Sequence, residues 1–229
     1  MKLSIFEVDR TLTRRPTYSA FLLYAAWTCA PWRLALIPLI LGCGLCYAAR
    51  LLPRKRMKEI MQRCMLGPID RHGLEQVAAT FARHLHSHGL YEQAHRRILE
   101  ERAAGRTVML ATAAPLYYVE PLAAHLGVDW VVATRSCWQG DRLLPGIDGE
   151  NCYGPSKRDS LCAFLEARSL LRSDVHIRFF SDHISDRPTF DWADEAIAVN
   201  PSRKLLRHAR LHGWTILDWR KAADAAPAR

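Results

Sequence analysis

Apolar and polar positions follow two different periods along this chain, and the change of period divides it. Leu3 to Val8 is a short, nearly continuous apolar run that opens into polar residues, the pattern of a buried strand. The period then becomes helical. A helix is expected from about Tyr18, with Phe21, Leu22, Tyr24 and Ala25 on its apolar face. Further helices are expected over Met57 to Cys64, over Leu74 to His86 with Gly89 as the stop, and over Glu92 to Ala104. After Gly105 strands and helices alternate: strand Thr107 to Ala111, helix Tyr117 to Leu126, strand Trp130 to Ala133, helix Lys157 to Arg168, strand Val175 to Ser181 and strand Glu195 to Val199. Cys137 to Leu143 reads as a hairpin turning at Gly140 and Asp141, and a helix from Ser202 to Leu211 precedes a last strand at Thr215 to Leu217.

Strands that alternate with helices predict a parallel sheet, so the fold class is α/β, a Rossmann-like core interrupted by an inserted all-helical cap. The core takes residues 1–13 and 105–221, the cap residues 14–104, and the Ala-rich residues 222–229 are expected to fray. Within the cap, Leu34 to Ala49 carries no charge over sixteen residues and is followed by Arg50, Arg54, Lys55, Arg56 and Lys58. About twenty apolar residues are needed to cross a bilayer, and Pro38, Gly42 and Gly44 weaken this helix. Three readings stand, in falling order of weight: an apolar helix packed inside the cap, a segment lying in one leaflet, and a true span.

Composition is that of a folded protein of 229 residues, 49% hydrophobic and 24% charged. A net charge of +9 favours anionic partners. The basic residues gather beside the apolar segment and no nucleic-acid motif is present, so an anionic membrane surface is expected as a partner and nucleic acid is not. The seven cysteines follow no framework spacing, as reduced thiols in a cytoplasmic protein would not. No leader is expected ahead of the first strand, which places the chain in the cytoplasm, at the inner face of the membrane if the apolar segment touches it. His84, His86 and His88 read as a polar helix end, since only the first and last share a helix face.

The candidate chemistry begins at Ile5-Phe-Glu-Val-Asp-Arg-Thr-Leu, where Glu7 and Asp9 stand two residues apart at a strand's carboxyl end, the usual place for a ligand in an open α/β sheet. Met109-Leu-Ala-Thr-Ala-Ala-Pro ends a strand on Thr112, Lys157 starts a helix after Gly154-Pro-Ser, and Phe179-Phe-Ser-Asp-His-Ile-Ser-Asp sets Asp182 and Asp186 four apart. Together these resemble the four motifs of the haloacid dehalogenase (HAD) superfamily, in its phosphoserine-phosphatase-like branch with a helical cap (HAD-IB). Within that branch the nearest likeness is to phosphatidylglycerophosphatase C-like bacterial proteins, on Arg10, Thr13-Arg-Arg, the apolar-then-basic cap and Asp148-Gly-Glu-Asn-Cys-Tyr-Gly. The first motif departs from the family, which has aspartate where this chain has Glu7.

The resemblance implies a magnesium-dependent phosphomonoester hydrolase. In it the residue at Glu7 attacks phosphorus, Asp9 is the acid and base, Thr112 and Lys157 hold the phosphoryl oxygens, Glu7, Asp9 and Asp182 hold Mg2+, and Asp186 orients Lys157 or a metal-bound water. The expected substrate is a phosphorylated small molecule or a membrane lipid phosphate. Glu7 keeps the charge but is one methylene longer, and misplacing an attacking atom by roughly an ångström can cost on the order of a hundredfold. Weak turnover is one expectation, and the alternative is a phosphate-binding pseudophosphatase with a regulatory role. Substrate and oligomeric state are not read from the sequence.

Overall fold

A computed structural model describes residues 1–128 and 130–220, so the expectation of a frayed tail at 222–229 lies outside the described residues. Strand β1 (Lys2–Phe6) is the centre of a seven-stranded sheet in the order β4-β3-β2-β1-β5-β6-β7. Its neighbours are β2 (Thr107–Pro115) and β5 (His176–Ser181), both parallel to it. Outward from these lie β3 (Trp130–Gln139) on one side and β6 (Glu195–Val199) and β7 (Thr215–Leu217) on the other, all parallel. The expectation of a parallel sheet needs one amendment. Edge strand β4 (Arg142–Asp148) returns antiparallel on β3, because the predicted hairpin forms, with Gln139 opposite Arg142 and Gly140 at φ +56° in the two-residue turn.

Both faces of β1 are buried, as a central parallel strand requires. Leu3 and Ile5 point to a core shared with Leu161 and Leu165 of helix α7 (Pro155–Glu166) and Leu205 of α9 (Arg203–Leu211), while Phe6 points to the other core and stacks on Phe180 at 4.1 Å. That second core is covered by α5 (Glu92–Ala103) and α6 (Leu116–Leu126), and the helices that precede α5 stack onto it. They are α1 (Tyr18–Cys29), α2 (Ile37–Ala48), α3 (Arg54–Met65) and α4 (Arg71–His84), the last capped by the Asp70 carboxylate on the Gly73 N–H at 2.7 Å. A single turn, α8 (Arg187–Phe190), follows β5 and was not expected from the pattern.

Two expectations are corrected. β1 stops at Phe6, two residues early: the Glu7 N–H still reaches the Phe180 carbonyl at 2.9 Å, and the chain then closes a wide turn from Val8 to Thr13. The apolar segment is not packed inside the helical insertion. It is a short turn from Pro31 to Leu36 followed by α2, and no residue of Pro31–Ala48 is fully buried, although Leu34, Leu36, Ile37 and Ile40 touch the core from one side. By length and composition alone this stretch passes for a membrane span, but α2 rises only about 18 Å against a hydrocarbon core of about 30 Å.

Candidate active site

The carboxyl ends of β1, β2 and β5 meet beneath the helical insertion, and six residues singled out from the sequence stand there. Glu7 leaves β1 with a buried carboxylate whose two oxygens are both engaged: Thr112 donates its hydroxyl to Oε1 at 2.7 Å, and the Lys157 ammonium donates to Oε2. Lys157 also donates to Asp186 Oδ2 at 2.8 Å, and Ser181 donates to the same oxygen at 2.6 Å. Asp186 Oδ1 is buried without a hydrogen-bond partner among the described residues. Lys157 arrives through Gly154, whose φ of +60° a side chain would strain, and Pro155 at the first turn of α7. Asp9 sits in the wide turn after β1. Its Oδ1 accepts from the Thr17 N–H at 2.8 Å and the Thr17 hydroxyl at 2.7 Å, and that hydroxyl meets the Tyr118 hydroxyl at 2.8 Å. Arg10 follows at φ +60°, an uncommon conformation for a non-glycine residue.

Glu7, Asp9, Lys157, Asp182 and Asp186 line one cavity of about 260 Å³, and Thr112 reaches it through Glu7. Burial sets its electrostatics. It pushes the Glu7 carboxyl up to about 7, with Lys157 pulling it down and Asp186 pushing it further up. Burial and the charge of Asp186 likewise raise Asp182 to about 7, and burial raises Asp9 against the two Thr17 hydrogen bonds. Burial opposes the charge on Lys157, but Asp186 and Glu7 outweigh it and hold the ammonium above its ordinary range.

Glu7, Asp9 and Asp182 are the trio expected to hold magnesium. Among the described residues no three His, Cys, Asp or Glu side chains are gathered to hold an ion, because Glu7 faces Thr112 and Lys157 and Asp9 faces Thr17. The donor chemistry does suit a hard cation: four carboxylates line one cavity, and magnesium is commonly held by one or two carboxylates with water completing the shell.

Three site residues were misread or missed in the sequence. Lys58, expected in a basic flank, is only 8% exposed, and donates to the Ala113 carbonyl at 2.6 Å and Asn151 Oδ1 at 2.8 Å. Arg54, one helical turn earlier, stacks over Tyr153 at 3.9 Å and lines the polar cavity. Their i, i+4 spacing was the available signal, since it places both on one face of α3. Thr17 was missed because only the fold brings it back to Asp9.

A second cavity, of about 780 Å³, adjoins the first and shares Asp9, Pro16, Arg54 and Ala113 with it. Its walls are mostly apolar, among them Leu22, Ile40, Met57, Met61 and Met65.

Residues 5–191 match the family described as haloacid dehalogenase-like hydrolase. A protein of Streptomyces azureus named for inhibition of morphological differentiation is 33% identical over 132 residues, 58% of this chain and 47% of that protein. The phosphoserine phosphatase SerB1 of Mycobacterium tuberculosis is 32% identical over 126 residues, 54% of this chain and 39% of that protein. The chain thus spans less than half the length of either relative. A crystal structure of a protein of unknown function from Bordetella pertussis Tohama I has the same fold, with a TM-score of 0.84 over 95% of this chain and 98% of that one at 23% identity.

Proposed function

The chain belongs to the haloacid dehalogenase-like hydrolase family, and from that premise we propose that it hydrolyses a phosphomonoester carried on an apolar tail. The observation that supports this reading most is the junction of the two cavities: carboxylates, Lys157 and Thr112 lie at one end and an apolar chamber begins at Asp9. The helices before α5 serve as the cap over that junction. Glu7 attacks phosphorus, forming an acyl-phosphate and breaking the bond to the leaving oxygen, which takes its proton from Asp9. Burial favours the protonated form of Asp9 that this step needs. Asp9 then draws a proton from water, which attacks the acyl-phosphate and releases phosphate with Glu7 restored. Lys157 and Thr112 turn from the Glu7 carboxylate to the transferring oxygens, and Asp186 keeps Lys157 in place. A magnesium ion on Asp182 and one neighbouring carboxylate would neutralise charge on the phosphoryl group when bound. The setting we propose is the cytoplasmic side of an anionic membrane, whose lipid phosphates supply the substrate.

One observation favours a second reading. The hydroxyl and ammonium expected to hold phosphate already grip the longer Glu7 carboxylate, which makes a phosphate-binding protein of impaired turnover. Phosphate release from an aryl phosphate and a short-chain lipid phosphate, with magnesium or EDTA, decides between the two. Magnesium-dependent turnover by the chain itself, abolished in Asp9→Asn, is the expected result, with Glu7→Asp faster by up to about a hundredfold. Turnover in Glu7→Asp alone establishes the second reading, and undiminished activity in Asp9→Asn removes the acid and base assigned here.

A further inference from the structure

The net charge of this chain is confined to one segment. Residues 10–58 hold nine of the 32 Lys and Arg and none of the 23 Asp and Glu, so the remaining residues balance at 23 of each sign. The same segment carries the largest exposed apolar side chains: Trp27 is 69% exposed, Trp32 65%, Leu41 65% and Leu45 74%. Apolar side chains, tryptophans and an excess of cations on one stretch are the composition of a surface that meets anionic lipid, although Lys55 and Arg56 pair with Glu150 and Glu59 outside it. Arg33 fixes its shape by donating to the carbonyls of Arg63 at 3.2 Å and Cys64 at 3.0 Å, which ties the turn before α2 to the end of α3.

The apolar chamber opens on this same surface. Leu23, Leu41, Leu45 and Tyr47 line it and are themselves exposed, whereas its inner end is Asp9, Lys58 and Ala113. An amphiphile lying with its tail toward Leu45 and its head toward Asp9 would follow the cavity from end to end.

We propose that the end of α1, the turn at Pro31–Leu36 and α2 lie within one leaflet of an anionic bilayer, so that the chamber opens into the hydrocarbon and a lipid phosphate slides sideways to Glu7 and Asp9 without crossing water. The substrate part rests on the function proposed above; the docking part does not. α2 lies in the leaflet and does not span it. Arg50 and Arg56, both exposed, remain at the headgroups.

The test uses the full chain with vesicles of phosphatidylcholine, alone or with phosphatidylglycerol. Binding is expected only to the anionic vesicles, falling as salt rises, and tryptophan emission should be quenched by lipids brominated along the acyl chain. Leu41→Glu with Leu45→Glu should weaken binding at least tenfold and abolish hydrolysis of long-chain phosphatidic acid in vesicles, while Trp27→Ser with Trp32→Ser, which lies outside both cavities, leaves hydrolysis of a soluble aryl phosphate unchanged. Trp27→Ser with Trp32→Ser should weaken binding and remove the quenching, and guards against misfolding of the first pair. If the chain proves silent on every phosphate, the chamber is read through a long-chain alkylphosphonate in the same vesicles. Its retention must fall in Leu41→Glu with Leu45→Glu. Equal binding by wild type and both variants overturns the docking surface. Unchanged turnover of vesicle phosphatidic acid, or unchanged phosphonate retention, overturns the lateral path. A dimer that dissociates in Leu41→Glu with Leu45→Glu and ignores vesicles assigns the surface to a second copy of the chain and overturns both.

Discussion

Lys58 places a cation in the wall of the apolar chamber with no carboxylate within ion-pair distance among the described residues. Burial, and then Arg54, lower its pKa to about 8, against an ordinary value of 10.5. Between those values the unfolded chain binds more protons than the folded one, so stability should rise as pH climbs from about 8 toward 10.5. Lys58→Met should remove that rise and gain most at neutral pH. Urea midpoints of both proteins at pH 7.5 and 10 measure it, and an identical rise in Lys58→Met assigns the effect elsewhere. At this scale residue type and order in the sequence were enough to pick out Glu7, Asp9, Thr112, Lys157, Asp182 and Asp186, which the fold brings to one place. They were not enough to find Thr17 or to place Lys58. Those positions depend on how α1 and α3 dock, which local periodicity does not encode.

Among the elements, α1 is one of those that join the helical insertion to the α/β core. Its Phe21 is fully buried and meets Phe81 of α4 at 5.2 Å and Tyr117 and Tyr118 of α6 at 5.3 and 4.8 Å. Removing that ring leaves a cavity among three aromatic neighbours and frees Tyr118, which braces Thr17 against Asp9. Phe21→Ala should cost about 3–5 kcal/mol by denaturant melts. It should also lower turnover of any phosphate substrate, whereas loss of stability with kinetics intact would separate the packing from the site. The helical period gave α4 and α5 within a few residues, because each has one apolar face and one polar face, and α1 through the spacing of its buried Phe21, Leu22, Ala25 and Ala26, although its outer side carries Leu23 and Trp27. It could not place α2, which is apolar on every side: such a helix looks the same whether protein or lipid surrounds it.

Across the whole molecule, polar burial occurs at both ends of the sheet. Opposite the site, Glu101 of α5 is 2% exposed and accepts from Ser4 of β1 at 2.6 Å, with Arg106 at 3.2 Å and Arg178 of β5 also 3.2 Å away. Glu101→Ala strips the buried Arg106 guanidinium of its counter-charge and should cost about 3–5 kcal/mol. KM should hold, and a changed KM would mean that the two ends of the sheet communicate. The α/β class was legible because the β and α periods alternate, and the antiparallel edge because Gly140 and Asp141 announce a hairpin. The order of strands was not, since register across distant segments leaves no local trace. That order has a consequence for how the chain is made. β1 leaves the ribosome about a hundred residues before β2 and some 170 before β5, the two strands that flank it. At synthesis rates of about 5–20 residues per second, its apolar side chains wait on the order of ten to thirty seconds for a finished sheet. The helices that separate β1 from β2 emerge in that interval, so their apolar faces are made before the strands that bring Thr112, Lys157 and Asp186 to Glu7.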